Sequence, residues 1–162
     1  MSFSLIACIG KNRELGKDND LVFHFKEDMK FFREKTKGKT VVMGYNTWKS
    51  LKETPLKGRT NLILSHRDLN SLPESAKRLE NLDSFIKKNS TSAEEIFVIG
   101  GASVYKLFLP HAKTLYLTEV EEEAKADVFF PTFKKEDYDL TTLKSLTENT
   151  VKLNFNKYIK RS

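Results

Sequence analysis

Cysteine is almost missing from this sequence: Cys8 is the only one in 162 residues. One thiol cannot build an internal disulfide framework or a cysteine-cluster zinc site. Histidine is scarce as well, and His24, His66 and His111 share no metal-ligand spacing. No metal site is expected. No apolar run approaches the roughly 20 residues that span a bilayer. The opening MSFSLIACIG lacks the basic start of a secretory signal and runs at once into charged sequence. A reduced, cytoplasmic chain with no membrane partner is expected. No linker rich in Pro, Gly or Ser interrupts the chain, so one domain should cover residues 1–162. No short repeat runs through it, which excludes collagen, mucin and coiled-coil classes.

Charge of one sign is in modest excess: 28 Lys and Arg against 22 Asp and Glu, a net +6. The excess is mostly Lys, scattered and interleaved with acids rather than gathered on one face. That is a solvated surface, with some attraction for small anions, and not a nucleic-acid footprint. The chain is 39% hydrophobic and 11% aromatic, with 12 Phe against one Trp. It is too apolar for disorder and long enough to bury a core.

The pattern alternates strands and helices. Residues 3–9 form a strand-length apolar run, and 10–24 read as a loop with Gly16 and Asn19-Asp20 as turn residues. Residues 26–36 look helical, with acids early and Gly38 just past the end. TVVMG (40–44) is a strand, followed by a short helix capped by Asn46 or Thr47 with Trp48 and Leu51 on one face. NLILS (61–65) is a strand, LDSFIKK (82–88) a helix, EIFVIGG (95–101) a strand ending in Gly-Gly, and ASVYKLFL (102–109) a helix stopped by Pro110. Strands follow at 114–120 and 127–131, and a hairpin turning at Glu148-Asn149 closes the chain. Unbroken apolar strands alternating with helices indicate an α/β fold whose mainly parallel sheet is covered on both faces. Antiparallel strands at the end make it mixed. Ligands of such sheets bind beyond the carboxyl ends of the strands.

Five features there could carry chemistry. Asp28 sits between Phe25 and Phe32 at helical spacing, beside an apolar stripe, where a carboxylate needs a cationic or amidine-like partner. The plainer reading is an acid favoured by the helix N-terminus. Gly100-Gly101 ends a strand and opens a helix, a place where backbone amides can approach a phosphate; a tight turn is the plainer reading. It matches neither GxGxxG nor a P-loop. Gly44 to Thr47 repeats that strand-to-helix arrangement. Ser65-His66-Arg67 is a cationic cluster at a strand end, or a basic surface loop. Arg59, in a PLKGRT turn, is a natural bidentate partner for a carboxylate, or is simply exposed. Nucleophilic catalysis is poorly supported: there is no GxSxG, and Cys8 lies within an apolar strand.

Taken together, SLIACIG, LG at 15–16, FKEDMKFFREKT, VVMGYNTWKSL, PLKGRTNLILS, IFVIGGASVY, LYLTEV and DVFFP resemble the dihydrofolate reductase family in order and spacing along essentially the whole chain. The resemblance implies a dihydrofolate reductase-like single domain. Its eight-stranded, mostly parallel mixed sheet would have an antiparallel C-terminal strand, with four helices on both faces. It implies hydride transfer from NADPH to C6 of dihydrofolate with protonation at N5, in a monomer that takes antifolate-type molecules. It makes Asp28 the pterin-binding catalytic acid. Ile6, Cys8, Met29, Phe32, Leu51, Leu56 and Ile99 would line the folate pocket, Arg59 would hold the tail carboxylate, and Thr118 would support the acid. Ala7, Leu15, Gly16, Gly44, Tyr45, Asn46, Thr47, Leu64, Ser65, His66, Arg67, Gly100, Gly101, Ala102, Ser103, Val104 and Tyr105 would form the cofactor site, with a cis Gly100–Gly101 peptide. Asp127 would hold the loop at 10–24 closed, and Phe23 belongs to that gate.

The sequence departs from the family pattern at several of these positions. Phe23 and Val22 stand where Trp and Pro are usual, so the indole donor that holds a water is gone. Tyr45, Asn46 and Ser103 replace basic residues, which weakens phosphate recognition there. The hairpin loop near 147–150 is short, so its contact with the loop at 10–24 should be altered. Two other readings make different demands on the sequence. A pyrimidine reductase of riboflavin synthesis would keep the Gly-Gly site but not the Asp28, Phe32 and Arg59 set. A nucleic-acid binder would show steep salt dependence and no nicotinamide oxidation.

Overall fold

The computed structural model describes residues 3–69 and 71–162. Its large sheet is built from eight strands: β1 (Phe3–Ile9), β4 (Thr40–Gly44), β5 (Thr60–Leu64), β6 (Ala76–Leu79), β7 (Ile96–Gly100), β8 (Ala112–Val120), β10 (Tyr138–Glu148) and β11 (Val151–Lys160). Their order across the sheet is β10-β11-β8-β1-β7-β4-β5-β6. Only β11 runs against its neighbours; it pairs antiparallel with both β8 and β10. Four helices pack on the sheet: α1 (Lys26–Thr36), α2 (Tyr45–Ser50), α3 (Leu82–Asn89) and α4 (Ala102–Phe108). Pro110 does not simply stop α4; it enters a short 3-10 turn over Leu109–His111.

The alternation of strand side chains splits the core in two. Leu5, Val42, Val98, Leu115 and Leu117 face α4 and α3, packing with Val104, Tyr105, Phe108 and Phe85. Ile6, Val41, Met43, Ile63, Phe97 and Tyr116 face α1 and α2, packing with Phe31 and Trp48. Phe31 seats α1 by meeting Phe155 at 5.0 Å between ring centroids.

Three local readings need correction. The stretch 10–24 is not a bare loop. It holds β2 (Glu14–Lys17) and β3 (Asp20–Leu21), which join β9 (Val128–Phe129) in a second, three-stranded sheet. The turn is Asp18-Asn19, both in the left-handed region (φ 52° and 59°), which short polar side chains tolerate. Gly16 lies within β2; its missing side chain admits the Asp20 carbonyl, which would stand 2.8 Å from a Cβ. Neither Asn46 nor Thr47 caps α2: Gly44 is the N-cap, and no side chain bonds there. Strand β6 carries no sequence signal because AKRL has no apolar run; it is an edge strand in which Lys77 is exposed and Arg78, half-buried, donates from Nε to the Ser65 carbonyl at 3.0 Å.

Candidate functional site

The sheet is not closed along its whole length. The β1–β7 ladder covers only Phe3–Leu5 against Ile96–Val98, while β1 stays paired with β8 from Ser4 as far as Ile9. Beyond Leu5 and Val98 the two central strands part, and residues 6–9 face residues 99–101 without a ladder. Tyr105, on α4, turns its hydroxyl into this opening and donates to the Ile6 carbonyl at 2.7 Å. Burial holds that phenol well above its usual range, with the Asp28 and Cys8 charges adding to the effect, so it stays a donor.

Asp28 lies on the α1 side of the opening. It is half-buried at the N-terminal turn of α1, and burial pushes its carboxyl up. The Thr118 hydroxyl and the Cys8 thiol both donate to it and oppose that rise, while the Glu148 charge adds to it. Cys8 and Thr118 are cross-strand partners on β1 and β8, so one register sets both donors. Burial and the nearby acid push the Cys8 thiol well up, keeping it protonated.

From Asp28 a line of side chains follows α1 at four-residue spacing. Phe32 comes next, then Thr36, whose hydroxyl donates to the Phe32 carbonyl at 2.8 Å. Arg59 Nη1 donates to the Thr36 hydroxyl at 3.0 Å and Nε to the Lys57 carbonyl at 2.9 Å, so its plane is fixed from both sides. Two turns of helix separate acid from guanidinium, about 12 Å along the axis. Arg33, Lys37 and Lys57 line a cavity with Arg59 at that far end. Ile6, Cys8, Phe32, Leu51, Leu56 and Ile99 all belong to the α1-side cluster. Met29 is not buried with them: it is 44% exposed, open to solvent on α1.

On the opposite side two strand-to-helix turns meet. The Gly100–Gly101 peptide is cis. A Cβ on Gly44 would stand 2.8 Å from Val104 Cγ2, and one on Gly100 would stand 3.3 Å from the Thr47 hydroxyl. Gly44 and Gly101 are the N-caps of α2 and α4, and neither helix receives a side-chain cap. The first amides of both helices therefore have no side-chain acceptor, an arrangement suited to an anion. Ala7, Leu15, Leu64, Ala102, Val104 and Tyr105 belong to this side's cluster. Asn46, Ser103, His66 and Arg67 are exposed around it. Arg67 stacks on the Tyr45 ring at 4.8 Å, and Ser65 Oγ accepts from the Arg67 amide at 3.0 Å.

The segment between β1 and α1 is held by acids. Glu14, buried, accepts from the Asn12 amide at 2.6 Å and the Ala124 amide at 2.8 Å. Asp127 accepts from the Asp18 amide at 3.1 Å, and its own amide donates to the Gly16 carbonyl at 2.9 Å. Phe23 is buried and stacks on Phe25, 6.0 Å between centroids. The hairpin tip meets the start of α1: Glu148 accepts from the Lys26 and Glu27 amides. Sequence reading missed Glu14 and Glu148. Nothing local marks a carboxylate whose partners are amides of a distant segment.

An opening between parted strands has a half-buried acid on one side and two uncapped helix starts on the other. That defines an α/β protein built to bring two ligands together. Residues 2–160 match the dihydrofolate reductase family. The chain is 36% identical to a dihydrofolate reductase of Buchnera aphidicola over 138 residues, covering 85% of this chain and 84% of that one. It is 36% identical to the Haemophilus influenzae dihydrofolate reductase over 141 residues, covering 86% and 85%. Its fold matches the Enterococcus faecalis dihydrofolate reductase complexed with NADP(H) and RAB-propyl at a TM-score of 0.87. That match has 22% identity and covers 99% and 97% of the chains. The chain belongs to the dihydrofolate reductase family. No helix among the described residues is long and apolar enough to cross a membrane.

Proposed function

We propose that the chain reduces 7,8-dihydrofolate to tetrahydrofolate with NADPH, as a cytoplasmic monomer of one domain that also takes antifolate-type molecules. The observation that carries this is the parted β1–β7 ladder with a different binding chemistry on each side. The line along α1 suits a molecule with an amidine-like head, an aromatic middle and a carboxylate tail. Asp28 meets the head, Phe32 the middle and Arg59 the tail.

The other side suits a dinucleotide. Gly44 and Gly100 let the two strand-to-helix turns pack closely, since a Cβ at either would press on Val104 or Thr47, and the uncapped amides of α2 and α4 would face a pyrophosphate. Thr47, Ala102, Ser103 and Val104 would hold that group. Arg67, braced on Tyr45, and His66 would meet a ribose phosphate. NADPH, when bound, supplies the hydride. Asp28 orients the heterocycle through its amino group and ring nitrogen and favours the protonated imine; water delivers the proton to N5. Thr118 and Cys8 hold the acid in place by donating to it, so its charge is preorganised toward the heterocycle. Asp127 holds the 10–24 segment over the opening.

The test is loss of nicotinamide absorbance on mixing with NADPH, with and without dihydrofolate. Oxidation that requires dihydrofolate is expected. Oxidation absent, or supported by an aminopyrimidine substrate instead, would overturn the assignment.

A further inference from the structure

The first turn of α1 lacks a local cap. Its N-cap is Phe25, which offers no side-chain acceptor, so the amides of the first turn need partners from elsewhere. Glu148 supplies them across the fold. Its Oε2 accepts from the Lys26 amide at 2.8 Å and its Oε1 from the Glu27 amide at 3.0 Å. Both oxygens are used, and the donors immediately precede Asp28. A charged acceptor at a helix start is stabilised by the dipole as well as by the two bonds. The hairpin tip that carries Glu148 lines one shallow cavity with these same residues: Lys26, Glu27, Leu146, Thr147, Glu148 and Asn149.

We propose that Glu148 is a positioning residue for Asp28: from the β10–β11 hairpin it caps α1 with both carboxylate oxygens and sets the place and charge environment of the acid. This rests on Asp28 being the acid that meets the substrate. The groups around Asp28 are few. Cys8 from β1 and Thr118 from β8 donate to it, Tyr105 from α4 senses its charge, and Glu148 is the anion that faces it from the hairpin. A nearby anion favours the protonated form of an acid–substrate pair. Glu148 thus helps keep the proton in the site at neutral pH. The short hairpin loop is tied to the start of α1, so its length fixes how far the cap reaches.

The test is Glu148→Gln, which keeps the size and one acceptor but removes the charge. Two readouts are followed. One is the Asp28 carboxyl titration in the free protein by carbon NMR. The other is the pH profile of single-turnover hydride transfer with NADPH and dihydrofolate. The titration midpoint should move to lower pH. The rate above the midpoint should fall about threefold, with the acid plateau kept. A lowered Tm with both midpoints unmoved would make Glu148 a plain helix cap and overturn the proposal. If Glu148→Gln fails to fold, Glu148→Asp decides: it keeps the charge but draws it back from the Lys26 and Glu27 amides by one methylene, so the Asp28 titration midpoint should move to lower pH; an unmoved midpoint overturns the proposal. Asp28→Asn is run alongside. Wild-type hydride rates there would refute the role of Asp28, while the Asp28 titration still reports on Glu148.

Discussion

At the scale of single residues, Asp28 gives up stability for function. Burial is the largest influence on its carboxyl and pushes it up; Thr118 and Cys8 only partly offset this. A folded value above the unfolded one stabilises in acid, and that contribution is lost as pH rises through the folded value. Asp28→Asn should therefore raise Tm near neutral pH relative to wild type. The gain should vanish below the unfolded aspartate value of about 3.9. Hydride transfer should fall by on the order of 10²- to 10⁴-fold and recover partly as pH falls. Melting curves and stopped-flow rates across pH check both halves. The position of Asp28 and Phe32 on one helical edge was legible from four-residue spacing. Its donors were less so: the thiol partner depends on β1–β8 register, which joins residues far apart in sequence. At the cofactor side, Tyr45 read as a lost cation. In the fold it is the platform on which Arg67 lies. His66→Ala with Arg67→Ala should reduce the NADPH-over-NADH ratio of kcat/KM several-fold, more at low salt than at high. An unchanged ratio would move phosphate recognition elsewhere.

At the scale of elements, the segment from Gly10 to α1 is pinned at three points by carboxylates accepting backbone amides: Glu14, Asp127 and Glu148. Glu14 is the most enclosed. Burial pushes its carboxyl up, but the amides of Ala124, Glu14 itself and Asn12 outweigh that and hold it below the usual glutamate range. A lowered folded value gives stability above the unfolded value of about 4.3, lost as pH falls through the folded one. Glu14→Gln should cost about 1–2 kcal/mol near neutral pH and progressively less in acid, measured by urea unfolding at several pH values. Asp127→Ala acts on the neighbouring pin. The fold should survive, while single-turnover hydride transfer slows several-fold and cofactor release speeds up. Equal rates would remove the gate. The helices α1, α3 and α4 were legible from periodicity and from Gly38 and Pro110. Of the small β2–β3–β9 sheet only the strand at 127–131 was legible; β2 and β3, four and two residues long, carry too little periodicity to read and exist only through pairing.

At the scale of the molecule, the sheet order puts the last strand inside the sheet and leaves β10 at its edge. β11 lies between β10 and β8, and Leu153, Phe155 and Tyr158 are almost wholly buried. Phe155 also carries Phe31 and so the seat of α1. Phe155→Ala should cost about 3–5 kcal/mol. It should weaken substrate binding more than cofactor binding, because α1 borders only one side of the opening; isothermal titration of both ligands checks this. The parted ladder was out of reach of sequence reading, since SLIACIG and IFVIGG look like complete strands and only their pairing ends early. That same opening makes β1 serve two masters by parity: Ile6 and Cys8 look one way, Ala7 the other. Substitutions can be absorbed at each position separately. Removal of one residue from this stretch cannot, because a strand shifted by one step exchanges its two sides. A deletion there would turn the Cys8 position away from Asp28 and bring the Ala7 position toward it, which no single side-chain replacement does.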